Sequence, residues 1–325
     1  MALAAQTNSP LVVVAGPTAS GKSALALELA LRLHGEIVNC DSLQLYRGLD
    51  LGTAKTPPAE RRLVPHHLFD ILDPQEVTTA GDYAVRARRV LAEMAPRGAL
   101  PVIVGGTGFY LRALLDGLAE GPRRDEALRA RLARMELHRS GRLHRFLRRL
   151  DPATAGRIHP HDTKKIIRAV EICLLSRRPA AELFLQGRPA LAGFRPLKLV
   201  LDPERQALHE RIAARTRTMF AAGLVGEVRA LIAQGVPVDA KAFESIGYHE
   251  ATEVLAGRMP EDRAIESTII ATRQYAKRQL TWFRREPLAI WIHGFGDDPL
   301  VIQNVTEITR QFLYNPQAET ALPSA

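Results

Sequence analysis

The 325-residue sequence predicts an α/β fold, in which a P-loop core built on a parallel sheet carries an inserted basic domain that is all helical. Three observations predict this fold. Short β-branched apolar runs alternate with helical patterns, as is typical of βαβ units. A glycine-rich phosphate-binding motif joins the first apolar run to the first helix. The positive charge is concentrated in one helical stretch that interrupts the alternation.

The alternating elements lie on both sides of the helical stretch. Strands are predicted at 11–15, 36–40, 101–104 and 198–201, and helices at 23–33, 82–94 and over most of 204–285. Because apolar β-branched runs separated by helices favour parallel pairing, these strands are expected to form one sheet.

The charge pattern suggests where the core is interrupted. Residues 117–195 contain 18 Lys and Arg against 8 Asp and Glu, whereas the whole chain has a net charge of +9. Leucines recur there at helical spacing with arginines between them. We therefore expect an inserted helical domain at 117–195 and a core formed by 1–116 and 196–325. A basic helix face can be simply solvated, but its confinement to one segment favours nucleic acid.

Composition narrows the class of protein. No apolar run approaches the roughly 20 residues that a membrane-spanning helix needs, and the first residues lack the pattern of a secretory signal. We expect a cytoplasmic protein that does not associate with membranes and is a monomer. The two cysteines, Cys40 and Cys173, are too few for a disulfide framework or a zinc site, so we expect reduced thiols.

The strongest local motif fits GxxxxGK[ST] between the first apolar run and the first helix. It consists of Gly16, Pro17, Thr18, Ala19, Ser20, Gly21, Lys22 and Ser23. In such a loop, backbone N–H groups and the helix N-terminus face phosphate oxygens. The lysine adds a cation and the Ser23 hydroxyl can hold Mg²⁺. An ordinary glycine-rich turn is the alternative, which the flanking strand and helix disfavour.

The motif identifies phosphates but not a reaction. Most P-loop proteins bind nucleotides such as ATP, and they hold Mg²⁺ partly with an acidic residue at the end of a neighbouring strand. The 101–104 run is followed by the glycine-rich turn 105–108 and no acid, whereas the 36–40 run is followed directly by Asp41. From the residues alone, the role of Asp41 stays open between metal support and general base.

Several ordered blocks carry a family resemblance. They are GPTASGKS at 16–23, DSLQLYRGLDLGTAKT at 41–56, PVIVGGTGFYLRALLDGL at 101–118, DTKKIIRAVE at 162–171 and TRQYAKRQLTWFR at 272–284. With these blocks the sequence resembles the tRNA dimethylallyltransferases, also called isopentenyl-diphosphate:tRNA transferases. The resemblance implies a P-loop core with a helical insertion that binds the anticodon arm. It also implies transfer of the dimethylallyl group of dimethylallyl diphosphate to N6 of adenosine 37, next to the anticodon in tRNA, with Mg²⁺ and release of diphosphate.

The resemblance also assigns catalytic roles. Asp41 corresponds to the general base that accepts the proton of the adenine amine, a role worth about 10²–10⁴-fold in rate. Lys22 and the loop amides would neutralise the departing diphosphate. Arg215 corresponds to an arginine that assists them, although the nearby Arg211 and Arg217 leave that assignment open.

Contacts to tRNA are implied at two regions. The corresponding positions are Asp41, Ser42, Leu43, Gln44, Thr107, Arg129, Lys164, Lys165, Ile166, Ile167 and Arg168. Residues 42–44 would line the target adenine, and Thr107 would lie where the base enters, unless it only forms a tight turn. The cations would contact phosphates, which gives salt-dependent affinity without sequence specificity, although each alone could be solvated surface.

Three other functions agree less well with the sequence. A prenyltransferase acting on free adenine nucleotides would need no basic helical insertion. A P-loop kinase or NTPase is disfavoured because no acid follows the 101–104 run. An RNA-binding module without activity would leave the P-loop and Asp41 without a purpose.

Overall fold

The computed structural model describes residues 8–119, 121–185 and 189–315. The chain divides into two compact units, Met1–Leu114 with Leu191–Ala325, and Leu115–Ala190. Every helix in the described ranges is too short or too polar to span a bilayer.

The larger unit is built on a parallel sheet. Its strands among the described residues are β1 (Ser9–Ala15), β2 (Gly35–Asn39), β3 (His66–His67), β4 (Leu100–Val104), β5 (Phe194–Asp202) and β6 (Ala289–His293). They lie in the order β3-β2-β4-β1-β5-β6, and every pairing is parallel. The predicted parallel sheet is confirmed. The edge strands β3 and β6 were not predicted, because a two-residue strand and a short run after a long helix give weak patterns.

The strand β1 is buried at the centre of the sheet, and its carboxyl end lies at the edge where a site can form. In β1, Leu11 to Ala15 are at most 2% exposed, because helices cover both faces of the sheet. Val12 pairs with Val102 of β4 on one side and with Leu197 of β5 on the other. Since the strands are parallel, the loops after their carboxyl ends meet at one edge, where α/β proteins place their ligands.

Helices surround this sheet and form the second unit. In chain order they are α1 (Lys22–Arg32), α2 (Pro58–Arg61), α3 (Ala80–Met94), α4 (Gly108–Leu115), α5 (Glu126–His138), α6 (Arg142–Leu150), α7 (Pro152–Ala155), α8 (Thr163–Ser176), α9 (Ala180–Leu185), α10 (Arg205–Ala221), α11 (Leu224–Ala233), α12 (Tyr248–Leu255), α13 (Glu261–Phe283) and α14 (Pro299–Tyr314). The long helical stretch predicted after β5 is confirmed. The N-terminus of α3 is fixed by a reciprocal capping box between Thr79 and Asp82.

The smaller unit has its own core. Leu132 of α5, Leu143 and Leu147 of α6, and Ile166 and Val170 of α8 are at most 3% exposed and pack together. The leucines of α6 recur at i and i+4, which places them on one face and leaves arginines on the other. This unit therefore buries Leu132, Leu143 and Leu147 and exposes most of its arginines.

Candidate active site

The β1–α1 loop requires glycine where it turns into the helix. Gly21 has φ of 86° at the N-cap of α1, a conformation that other residues rarely adopt. A Cβ there would lie 2.8 Å from the backbone nitrogen of Gly296, in the loop after β6. The first amides of α1 have no intrahelical acceptor, so the loop presents N–H donors at the carboxyl edge of the sheet.

Lys22 lies at the start of α1 and points back over the loop. Its Nζ donates a hydrogen bond of 2.6 Å to the carbonyl of Pro17. The pKa of Lys22 is lowered to about 7, chiefly by burial; the charge of Asp41 opposes this shift and that of Arg215 adds to it. An anion that binds next to this amine would therefore stabilise its protonated form.

Asp41 follows β2 and is held by the buried side chain of Asn39. The Asn39 amide accepts from the backbone nitrogen of Asp41 at 2.9 Å and donates to its carbonyl at 3.1 Å. One carboxylate oxygen of Asp41 accepts from the backbone nitrogen of Leu43 at 2.9 Å. The half-buried carboxylate is thus fixed in orientation before any ligand binds.

The turn after β4 packs closely against the residues that follow β2. A Cβ on Gly105 would lie 2.1 Å from the carbonyl oxygen of Cys40, so only glycine permits this approach. The hydroxyl of Thr107 accepts a hydrogen bond from the backbone nitrogen of Ser42 at 3.2 Å. The backbone nitrogen of Thr107 donates to the carbonyl of Cys40 at 3.3 Å. Burial raises the pKa of the Cys40 thiol to about 12, and both this cysteine and Cys173 are free thiols.

The α10 helix distinguishes the three candidate arginines. The Nη2 of Arg215 donates a hydrogen bond of 2.6 Å to the hydroxyl of Thr18. Arg211 lines the same cavity, but its guanidinium pairs with Asp297 at 2.7 Å. Arg217 is exposed and lines neither of the two site cavities. Arg215 is therefore the arginine held against the loop.

Two adjoining cavities share a wall. The first, of about 270 Å³, is lined among others by Thr18, Lys22, Ser23, Asp41 and Arg215. The second, of about 310 Å³, shares Thr18, Asp41 and Arg215 and adds Leu43, Met219 and Ile246. One compartment is thus rich in cations and the other is partly apolar, with Asp41 in the wall common to both.

The residues expected to line the acceptor base separate in the structure. Ser42 and Leu43 line the partly apolar cavity. Gln44 instead lines the cation-rich cavity, and its amide donates to the carbonyl of Thr53 at 3.1 Å. Gln44 therefore supports the segment around Thr53.

Within the smaller unit, the expected tRNA-contacting residues have different environments. Lys164 is exposed, and Lys165 pairs with Asp162 at 2.6 Å. Ile166 and Ile167 are 1% and 7% exposed, so their side chains belong to the core of that unit and only their backbone could touch a ligand.

The two expected arginine contacts are held by one buried acid. Glu171 has no exposed surface and accepts from Arg129 at 3.1 Å and from Arg168 at 2.6 Å. Burial raises the pKa of Glu171, but the hydrogen bonds of Arg168 and of the Asp125 backbone, with the two positive charges, lower it overall. Part of the basic character of this unit is therefore structural.

Sequence reasoning missed an anchor of the segment between β2 and α2. Glu227 of α11 accepts from the backbone nitrogens of Asp50 at 3.2 Å and Leu51 at 2.8 Å, and from the hydroxyl of Tyr248 at 2.6 Å. These hydrogen bonds hold the segment that carries Thr53, which lines both cavities. Glu227 and Tyr248 are 21 residues apart, and no spacing in the sequence reveals that they meet.

Together these features define a class of protein. It is an α/β protein with its site at the carboxyl edge of a parallel sheet, where three cationic side chains and a carboxylate line one cavity. Among the described residues, no group of three His, Cys, Asp or Glu side chains is placed to hold a metal ion.

Comparisons with known proteins identify the family. The model of the IPP transferase family matches residues 44–286. A tRNA dimethylallyltransferase of Solibacter usitatus is 54% identical over 304 residues, covering 94% of this chain and 99% of the relative. One of Koribacter versatilis is 52% identical over 305 residues, covering 92% and 98%. The chain belongs to the tRNA dimethylallyltransferase family and is a prenyltransferase.

Two solved structures are also similar to this chain. The full-length tRNA isopentenylpyrophosphate transferase of Bacillus halodurans superposes with a TM-score of 0.70 at 36% identity, covering 94% of this chain and 97% of the other. A eukaryotic dimethylallyltransferase acting on tRNA superposes with a TM-score of 0.81 at 25% identity, covering 94% and 80%.

Proposed function

We infer that the protein transfers the dimethylallyl group of dimethylallyl diphosphate to N6 of adenosine 37, adjacent to the anticodon in tRNA, and releases diphosphate. One observation carries the mechanism: Asp41 lies in the wall between a cavity containing Lys22 and Arg215 and a partly apolar cavity. This arrangement suits a reaction in which an anion departs on one side of the carboxylate and an amine is deprotonated beside it.

We propose that the β1–α1 loop is a P-loop that binds the diphosphate as a leaving group. The N–H donors at the start of α1, the Lys22 ammonium and the Arg215 guanidinium supply positive charge where the departing anion develops. Arg215 is already fixed by Thr18, so little reorganisation is needed when the C–O bond breaks.

Asp41 is proposed as the general base. The N6 nitrogen of the adenine attacks the first carbon of the dimethylallyl group, the bond from that carbon to the diphosphate oxygen breaks, and the amine proton passes to Asp41. The Asn39 side chain fixes the backbone of Asp41, and the backbone nitrogen of Leu43 donates to the carboxylate and orients it for this transfer. A correctly oriented base contributes about 10²–10⁴-fold.

Mg²⁺ fits these residues only together with the substrate. It favours oxygen ligands and usually binds through one or two protein groups, water and substrate phosphates. The Ser23 hydroxyl lies in the cation-rich cavity and is exposed, so it would be the protein ligand. When bound, the ion would neutralise part of the diphosphate charge.

The smaller helical unit is proposed as an inserted domain that binds the anticodon arm. Its exposed arginines on α6 would contact phosphates and give salt-dependent affinity. Lys164 and Lys165 would add contacts at the start of α8. The buried ion pairs of Glu171 instead hold Arg129 and Arg168 in place.

The function is tested with radiolabelled dimethylallyl diphosphate and Mg²⁺. The acceptors are unmodified tRNA with adenosine at position 37, the same tRNA with guanosine there, and AMP. We expect label only on the first. Label on AMP alone would show a prenyltransferase of free nucleotides, and ATP turnover without RNA would show an NTPase. Either outcome would overturn the inference.

A further inference from the structure

The side chain of Gln279 joins two loops of the site. It projects from α13 and is 5% exposed. Its Oε1 accepts a hydrogen bond of 2.8 Å from the backbone nitrogen of Thr18, and its Nε2 donates one of 2.9 Å to the carbonyl of Gly106. A single amide therefore connects the loop after β1 with the turn after β4.

Each loop also holds one side of the site. On the leaving-group side, the hydroxyl of Thr18 accepts from Arg215. On the acceptor side, Thr107 follows Gly106 and binds the backbone of Ser42, next to Asp41. Tyr275, one turn before Gln279, lines the partly apolar cavity together with Asp41 and Ser42. The chain of contacts thus runs from Arg215 to the residue beside the proposed base.

The geometry leaves little freedom at this junction. A Cβ on Gly106 would lie 2.1 Å from Nε2 of Gln279, so the turn approaches the amide as closely as a glycine allows. The Thr18 nitrogen is a half-buried donor, and the Gly106 carbonyl is a buried acceptor. Only a side chain that accepts on one atom and donates on another satisfies both, and an unsatisfied buried group costs about 1–3 kcal/mol.

We propose that Gln279 is a positioning residue that sets the distance between the diphosphate loop and the Thr107 turn, and through them between the leaving group and the attacking amine. This rests on the proposed function. Gln279 itself touches no reacting atom. Because displacing a reacting group by about 1 Å can cost about 10²-fold, loss of this junction should lower kcat more than it changes substrate affinity.

The isosteric substitution Gln279→Glu tests the two hydrogen bonds. When protonated, the introduced carboxylic acid accepts from Thr18 with its carbonyl and donates to Gly106 with its hydroxyl, so it reproduces both bonds. When ionised, it directs a carboxylate at the Gly106 carbonyl. Burial and the facing carbonyl both disfavour the charged form and raise the pKa of the introduced group. The variant should therefore be active at low pH and lose activity as pH rises.

The measurement is the single-turnover rate of tRNA prenylation at saturating substrates from pH 5.5 to 8.5, divided by the wild-type rate at each pH. We expect this ratio for Gln279→Glu to fall at least about tenfold across the range. Gln279→Leu, which makes neither bond, should be low at every pH, with a KM for tRNA within about threefold of wild type. The same two substitutions at Gln303, exposed on α14, should give ratios near one throughout.

A purely structural role makes a different prediction. If Gln279 only packs the core, its variants lower the melting temperature, but the rate of the folded protein stays within about threefold of wild type at every pH. That result, or a flat ratio for Gln279→Glu, would overturn the proposal. If Gln279→Leu fails to fold, Gln279→Glu still decides. Failure of the wild type to prenylate tRNA would instead reject the proposed function.

Discussion

The guanidinium of Arg215 donates a 2.6 Å hydrogen bond to the hydroxyl of Thr18 in the β1–α1 loop. Burial lowers the pKa of Arg215 and the charge of Asp41 raises it, and an arginine stays protonated in either case. Its neighbours on α10 are placed differently. The Arg211 side chain stacks on Phe295 at 3.9 Å and pairs with Asp297.

Arg215→Ala should therefore reduce kcat by about 10²–10³-fold, because it removes a preorganised donor from the departing diphosphate. The measurement is the single-turnover rate at saturating dimethylallyl diphosphate. Arg217→Ala, two residues away and exposed, should stay within about twofold of wild type. Equal losses in both variants would contradict the assignment.

The parts of this site that sequence could predict are local. The β1–α1 loop and Asp41 each directly follow a strand whose apolar pattern is clear, so their meeting at one edge follows from parallel pairing. The Gln279 junction is not local, because its amide and the nitrogen of Thr18 are 261 residues apart. No spacing along the chain reveals that contact, which depends on how α13 packs against the sheet.

Helical periodicity could have predicted that two of the expected tRNA-contacting residues have buried side chains. Ile166, Ile167 and Val170 recur at the spacing of a buried helix face, and their side chains fill the core of the smaller unit. The choice among Arg211, Arg215 and Arg217 could not be made in the same way, since it depends on Thr18 and Asp297 from distant segments.

Lys22 should take up a proton when diphosphate binds. Its pKa is lowered from 10.5 to about 7, so at pH 8 the amine of the free protein is mostly neutral. An adjacent anion favours the ammonium and raises the pKa again. Calorimetric titration with dimethylallyl diphosphate in two buffers of different ionisation enthalpy should show an uptake of close to one proton at pH 8, declining toward pH 6.

The control for this proton is Lys22→Arg, which keeps a positive charge at every pH and cannot titrate in this range. Its proton uptake at pH 8 should be lower than that of wild type by nearly one per diphosphate bound. Identical uptake in the two proteins would assign the proton to another group.

Asp41→Asn should lower the rate of the chemical step by about 10²–10⁴-fold while leaving binding of both substrates within a few fold, because it removes the base and keeps the side-chain shape. The amide can still accept from the backbone of Leu43. Rapid-quench kinetics separates the chemical step from binding. Full prenyl transfer by Asp41→Asn or Asp41→Ala would exclude Asp41 as the base.

The exposed face of α6 should determine much of the salt dependence of tRNA binding. Arg145 and Arg149 are exposed and one turn apart. Replacing both with glutamine should reduce the slope of log K against log salt by about 1–2, since each phosphate contact contributes about 0.7–0.9. Filter binding from 50 to 300 mM salt, which is about the range where the slope is measurable, gives this value.

The control lies in the larger unit. Arg263 is exposed and pairs with Glu266 at 2.8 Å, so Arg263→Gln should leave the slope unchanged. An unchanged slope in the Arg145 and Arg149 double variant would mean that α6 does not contact the tRNA backbone.

Glu171 should be essential for the stability of the smaller unit. Glu171→Ala removes the carboxylate that accepts from Arg129 and from the backbone nitrogen of Asp125, and it leaves Arg168 with its bond to the carbonyl of Pro122. Both arginine side chains are partly exposed, so water compensates part of their charge, and the loss of the acceptor should cost about 1–3 kcal/mol. Glu182→Ala breaks only a surface pair with Arg178 and should cost less than about 1 kcal/mol. Urea denaturation followed by circular dichroism compares the two. If both variants were equally stable, the Glu171 ion pairs would contribute no more to stability than the surface pair of Glu182 does.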